Sequence, residues 1–146
     1  IEELEEAIHS TGFFRQKART LQTCCRALIE RFGGEVPADT TALTSLPGIG
    51  RKTANLVLGN SMGTPAVFVD THVKRVALRQ GFTDNTDPDK IEVDLTALLP
   101  AERRTPFSNL LAHLGRGVCL ARRPRCTECP VAPLCPRIGV GVTQHG

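Results

Sequence analysis

The chain has 146 residues, 23% of them charged, with a formal net charge of +3, six cysteines and neither tryptophan nor tyrosine. That length buries one hydrophobic core, or two small ones sharing an interface. No apolar run is long enough to span a membrane, no signal-peptide pattern opens the chain, and Phe supplies all the aromatics. The cysteines therefore do not read as a secreted disulfide framework, a reducing compartment is the default, and base stacking on an aromatic platform is not expected.

Apolar residues recur at spacings of three and four, and no stretch alternates convincingly with period two, which predicts an all-α fold. Ile1, Leu4, Ala7 and Ile8 mark an amphipathic helix already under way at the first residue, so the chain reads as the downstream part of a longer protein. Phe14, Ala18, Leu21, Cys25, Leu28, Ile29 and Phe32 then make one face of a helix that Gly33-Gly34 ends. Cys24 and Cys25 in this helix read as small buried or half-buried hydrophobes rather than redox thiols. Thr40 or Thr41 is expected to cap a short helix leading to Leu46.

At Leu46-Pro47-Gly48-Ile49-Gly50-Arg51-Lys52-Thr53-Ala54 a turn closed by two glycines opens directly into a helix over 51–62, closed by Gly63. Gly48 and Gly50 can take positive φ without a Cβ clash, so successive backbone N–H groups can point the same way. Those donors sit at a helix start, where the macrodipole favours an anion such as a phosphate. A glycine turn also serves as plain punctuation between helices. The basic pair Arg51 and Lys52 is unfavourable for the helix start itself, which suggests an anion arriving from outside. The helix dipole and the neighbouring cation would lower the pKa of Lys52 and raise its nucleophilic fraction. The plainer reading is a phosphate-binding lysine.

Pro65 to Val69 is a short extended link, and Asp70 is the expected N-cap of a helix over 71–80 stopped by Gly81. Asp87-Pro88 is a cap followed by an N1 proline, opening a helix with Ile91, Leu95, Leu98 and Leu99. Pro106 is expected to open another helix, through Leu110, Leu111 and Leu114. Beyond Cys119 the periodicity gives way to prolines, arginines and cysteines, a loop organised by something other than a core. Cys119, Cys126, Cys129 and Cys135 lie within seventeen residues, and four thiolates that close usually hold a metal. Structural zinc more typically shows two Cys-x2-Cys pairs, whereas a four-iron cluster gathers ligands from one winding loop. Spacing alone leaves both open.

Between the first two of these thiols stand Arg122, Arg123 and Arg125, suited to phosphates or to offsetting the negative charge of a cluster. Residues 103–137 hold seven arginines against Glu128 alone, while 1–10 and 84–94 are acidic. Such asymmetry fits either a basic face for a polyanion or an ordinary solvated surface. Residues 138–146 read as a glycine-rich disordered tail.

Three of these motifs, in this order, resemble those of the endonuclease III family of base-excision DNA glycosylases, over about residues 1–137. Leu46–Ala54 looks like the helix–hairpin–helix, Val67-Phe68-Val69-Asp70-Thr71-His72-Val73-Lys74-Arg75 like the active-site signature, and Cys119-x6-Cys126-x2-Cys129-x5-Cys135 like the iron–sulfur spacing. The resemblance implies a helix–hairpin–helix glycosylase fold lacking its N-terminal helices, with an incomplete hairpin module at 1–64 and a cluster module at 65–137. It implies Lys52 as the catalytic nucleophile and Asp70 as a carboxylate that accepts a proton or stabilises the cationic sugar. Leu46, Gly48, Ile49, Gly50 and Arg51, with Arg122, Arg123 and Arg125, are the expected DNA contacts. Cys119, Cys126, Cys129 and Cys135 would hold a [4Fe-4S] cluster.

The activity so implied is glycosylase with AP lyase, on oxidised pyrimidines and abasic sites. Its partner is damaged double-stranded DNA, met by a cytoplasmic monomer away from any membrane. A non-catalytic helix–hairpin–helix module and a monofunctional adenine or mismatch glycosylase are the alternatives. His72 is expected to orient helix and loop rather than transfer protons. Leu114 stands before Gly115-Arg116 where many family members have His, and no role is assigned there.

Overall fold

Helical spacing carries through to the computed structural model, which describes residues 1–141 as seven α-helices with no strand among them. They are α1 (Glu2–Ala7), α2 (Phe14–Phe32), α3 (Thr40–Thr44), α4 (Arg51–Ser61), α5 (Thr71–Gln80), α6 (Pro88–Leu98) and α7 (Ala101–Gly117). Two short 3₁₀ turns, Cys126–Glu128 and Ala132–Leu134, follow. No helix among the described residues is long and apolar enough to cross a membrane.

Local chemistry sets most of the boundaries. Gly33 takes the left-handed conformation at φ 63° and returns its N–H to Ile29, with Gly34 donating to Leu28, so α2 ends where the glycine pair stands. The Asp70 side chain caps α5 and Gly81, at φ 74°, ends it. Asp87 caps α6 ahead of Pro88, accepting from the amides of Asp89 and Lys90. At α3 the cap is Asp39 rather than Thr40 or Thr41, since its carboxylate accepts from the amide of Ala42 at 2.9 Å.

The last helix departs from expectation. α7 starts at Ala101, and Pro106 lies inside it instead of opening it. A proline there lacks the N–H for one helical bond, but its neighbours hold the helix from outside. Thr105 exchanges two hydrogen bonds with the backbone of Ala66, and Ser108, Leu111, Ala112 and Gly115 are buried. Tertiary anchoring overrides the local signal.

Two apolar clusters form the interior. Leu43, Leu46, Ala54 and Leu58 make the first, covered by Cys24, Ala27, Leu28 and Phe32 of α2. The second gathers Val67, Phe68 and Val69 of the link with Val73, Val76, Ala77, Ile91, Leu95, Leu111 and Ala112. Ile91 and Leu95 are fully buried, each worth roughly 1.5–3 kcal/mol of transfer free energy. The face of α2 is rotated from the expected one: Cys24 packs inward while Cys25, Leu21 and Ile29 are exposed. Two contacts set that rotation, Thr20 against Gly48 and the Arg31 guanidinium on the carbonyl and hydroxyl of Ser45. Burial, and then the neighbouring Cys25, push the Cys24 thiol pKa up.

Gly48 closes the α3–α4 turn at φ 78°, and a Cβ there would lie 2.1 Å from the Thr20 methyl. Gly48→Ala is therefore expected to cost about 2–4 kcal/mol, from left-handed strain and overpacking together. Urea denaturation measures it, and adding Thr20→Ser, which removes that methyl, should restore only the packing share. A neutral Gly48→Ala would contradict the close approach.

The stretch expected to be a disordered tail begins attached. The amide of Ile138 donates to Arg79 at 3.0 Å and that of Val140 to Arg137, so residues 138–140 fold against the end of α5. Residues 142–146 lie outside the described residues.

Candidate functional site

The hairpin brings α3 and α4 together through a turn in which only one of the two glycines has the expected conformation. Gly48 is left-handed; Gly50 is extended at φ −89° and serves as the N-cap of α4, with no side chain to cap it. Among the described residues the amides of Gly48 and Gly50 have no hydrogen-bond acceptor. They stay available beside the positive end of α4. Ile49 is half-buried on the first cluster and its amide donates to Leu46. Leu46 itself, expected among the contacts, is only 4% exposed. It faces the core because α2 covers the hairpin from behind, and its amide donates to Leu43.

Arg51 and Lys52 part company. Lys52 is exposed and takes part in no hydrogen bond or ion pair among the described residues. The Arg51 guanidinium instead grips Glu92 of α6, Nε to Oε2 at 2.8 Å and Nη2 to Oε1 at 2.9 Å, with Asp89 at 4.0 Å. The hydrogen bonds that Arg51 donates to Glu92, then the charge of that carboxylate, hold the Arg51 pKa above its ordinary value.

Asp70 divides its two oxygens. Oδ1 accepts from the amides of His72 and Val73 at 2.9 and 2.7 Å, and Oδ2 faces Arg116 Nη2 of α7 at 3.6 Å. The side chain is 13% exposed, so the carboxylate is held at a helix start yet open at one edge. No hydrogen bond or ion pair joins it to Lys52 among the described residues. α7 crosses α5 closely beside it: a Cβ on Gly115 would lie 2.8 Å from that of His72.

Two arginines one turn apart on α5 carry the frame into the cysteine loop. Arg75 donates to the carbonyls of Gly115 and Cys119, at 2.7 and 3.0 Å, and to His72 Nδ1 at 3.1 Å. Because a guanidinium only donates, Nδ1 is the accepting nitrogen of His72. Arg79 donates to Cys119 Sγ at 3.3 Å and to the carbonyls of Leu120 and Ala121. All four thiols, from Cys119, Cys126, Cys129 and Cys135, are free and line one cavity with Leu114, Val118 and Ala132. No three His, Cys, Asp or Glu side chains among the described residues converge where a single ion would sit. Thiols around a shared cavity, without a common point, fit a group with width of its own. A polynuclear cluster has that width and a lone zinc does not.

Arg122 and Arg123 project from the turn between the first two thiols, Arg123 in the left-handed region at φ 54°, and both are exposed. Arg125 lies 3.9 Å from Glu128. Sequence reasoning assigned no role to Arg75, although it lies in the active-site signature, nor to Arg79, Arg116 or Glu92. Arg79, in the last turn of α5, reads as dipole complement, and each of the four has its partner far away in the chain.

A glycine-closed hairpin, a capped carboxylate and a four-thiol loop on an all-helical frame define a helix–hairpin–helix protein with a metal-cluster loop. Residues 1–101 match the family described as HhH-GPD superfamily base excision DNA repair protein, and residues 119–135 match the iron–sulfur binding domain of endonuclease III. The chain belongs to the HhH-GPD superfamily of base excision DNA repair proteins. It is 52% identical to endonuclease III of Synechocystis sp. over 136 residues, covering 92% of this chain and 62% of that one. To endonuclease III of Bacillus subtilis it is 44% identical over 137 residues, with the same coverage. A trapped endonuclease III–DNA covalent intermediate superposes with a TM-score of 0.85 at 43% identity, covering 93% of this chain and 64% of that one. The chain thus spans just under two thirds of the length of these relatives.

Proposed function

We propose that the chain carries the catalytic and cluster-binding part of a DNA glycosylase with AP lyase activity, acting on oxidised pyrimidines and abasic sites in double-stranded DNA. The observation that carries it is Lys52: an exposed primary amine with no partner among the described residues, in the first turn of the hairpin helix, beside the backbone donors of Gly48 and Gly50. The amides of Gly48 and Gly50 hold a DNA phosphate, and the damaged nucleotide is flipped out of the stack. Lys52 Nζ attacks C1′, the bond from C1′ to the base breaks, and the base leaves with a proton. The sugar ring opens to an imine, loss of a C2′ proton follows, and the 3′ phosphate leaves by β-elimination. Asp70, fixed through Oδ1, keeps its other oxygen for the proton of the attacking amine or for the developing positive charge on the sugar.

Cys119, Cys126, Cys129 and Cys135 would hold a [4Fe-4S] cluster, which would cross-link the loop. Arg122 and Arg123 then meet phosphates from fixed positions, in a protein that works as a cytoplasmic monomer.

Borohydride reduction on an abasic duplex tests the reading, because only an imine is captured as a stable protein–DNA adduct. An adduct is expected from the unaltered chain. Binding without an adduct would indicate a plain phosphate grip or a monofunctional glycosylase. Neutralising Arg122 and Arg123 together should flatten the dependence of log K on log salt by up to about two units, whatever the sequence of the duplex. An unchanged slope would assign them to balancing the cluster's charge.

A further inference from the structure

Arg51 sits in a motif that otherwise points at an anion, yet its guanidinium is already engaged. It meets Glu92 in two parallel hydrogen bonds, at 2.8 and 2.9 Å, in a side-by-side fit that a lysine could not make. Exposed ion pairs usually contribute little, with well-fitted bidentate ones the exception. Here the Glu92 side chain is only 16% exposed, and it rises from a helix rooted in the second core by the fully buried Ile91 and Leu95. Arg51 is the first residue of a helix rooted in the other core by Ala54 and Leu58.

The remaining ties from α4 to the second core leave its middle and its end. Asn55 Nδ2 donates to Val67 at 2.8 Å, Gly59 abuts Thr105, and Asn60 accepts from Asn109 at 2.8 Å. The first turn, which carries Lys52, has the Arg51 pair instead.

We infer that Arg51 is a positioning residue: its bidentate pair with Glu92 fixes the first turn of α4, and so Lys52, against α6, which shares its core with α5, the helix that Asp70 caps. The Nε–Nη2 edge is occupied and the charge is matched by Glu92, so Arg51 adds little to phosphate attraction. This rests on the reading of Lys52 as the imine-forming amine. A displacement of the attacking atom by about 1 Å can cost on the order of 100-fold in rate, which makes the pair's removal visible in chemistry rather than in binding.

The test uses an abasic duplex with the unaltered chain, Arg51→Ala, the isosteric Glu92→Gln, their combination, and the swap Arg51→Glu with Glu92→Arg. For each, the borohydride-trapping rate at saturating DNA is measured alongside Kd, its salt slope and Tm. Arg51→Ala and Glu92→Gln should each slow trapping by about 10–100-fold, the combination should be no slower than either, and the swap should regain most of the rate. Kd should stay within about threefold and the salt slope unchanged, because no phosphate contact is lost.

A phosphate ligand would behave otherwise, and that result overturns the inference. Arg51→Ala would then weaken binding and lower the slope by about one unit at an unchanged trapping rate, while Glu92→Gln would bind DNA more tightly. A fall in Tm with normal trapping also overturns it, since it leaves a purely structural pair. Failure of the underlying reading looks different: the unaltered chain itself would give no adduct, and the positioning of Lys52 would fall with it.

Discussion

Lys52→Gln should give no borohydride-trapped adduct with abasic DNA, while its affinity for the same duplex stays within a few-fold of the unaltered chain. An imine needs a primary amine, and glutamine keeps much of the side chain's length and polarity while removing the nucleophile. The substitution falls at an exposed position with no hydrogen bond or ion pair among the described residues, so the fold has nothing to lose there. Binding drops little, because one cation among several phosphate contacts contributes only about one unit of salt slope. The chain's other lysines are Lys17, Lys74 and Lys90. Lys74 is already bonded to the carbonyl of Thr86, and Lys90 follows Asp87 and Asp89 at the start of α6. An adduct from Lys52→Gln at the unaltered yield would move the nucleophile to one of those three or to the α-amino group.

What the sequence makes legible here is local. Asp70, Gly81, Asp87-Pro88 and Gly33-Gly34 act on their own backbone neighbourhood, and each stands in the structure where its chemistry requires. The four cysteines are legible for a similar reason, because no core explains their density. What escapes is anything whose partner lies far along the chain. Pro106 breaks a helix only if nothing else holds it, and Ala66 holds Thr105 from 39 residues away. Leu46 belongs to the hairpin motif by position but to the core by virtue of α2 packed behind it. Arg51 looks like a cation awaiting a phosphate until Glu92, 41 residues on, is placed beside it. The rotation of α2, with Cys24 inward and Cys25 outward, depends on Thr20 meeting a glycine in another element. Periodicity fixes which residues share a face, and the docking partner decides which face turns in.

Stripping the iron should unfold the loop and little else. No residue from Cys119 to Cys135 is buried, and ordering each backbone residue costs about 1–2 kcal/mol. Against that the loop itself offers two 3₁₀ turns and the hydrogen bonds from Arg75 and Arg79, each worth about 1 kcal/mol net, somewhat more from a charged donor. The balance has to come from bonds to a metal group, as in small metal-folded domains. The helical frame has a core of its own: Val73, Val76, Ile91 and Leu95 pack with Leu111 and Ala112 of α7, outside the cysteine loop. Oxidative removal of the cluster in the presence of a chelator, or Cys129→Ala, should therefore abolish the visible absorbance and open Arg122, Arg123 and Arg125 to rapid tryptic cleavage. Far-UV circular dichroism should stay close to that of the intact protein. The salt slope of DNA binding should fall as it does when Arg122 and Arg123 are neutralised, because disordered arginines lose their fixed geometry. Retained protease resistance at those three arginines in iron-free protein would mean that Arg75 and Arg79 alone order the loop, and that the cluster does something other than hold it.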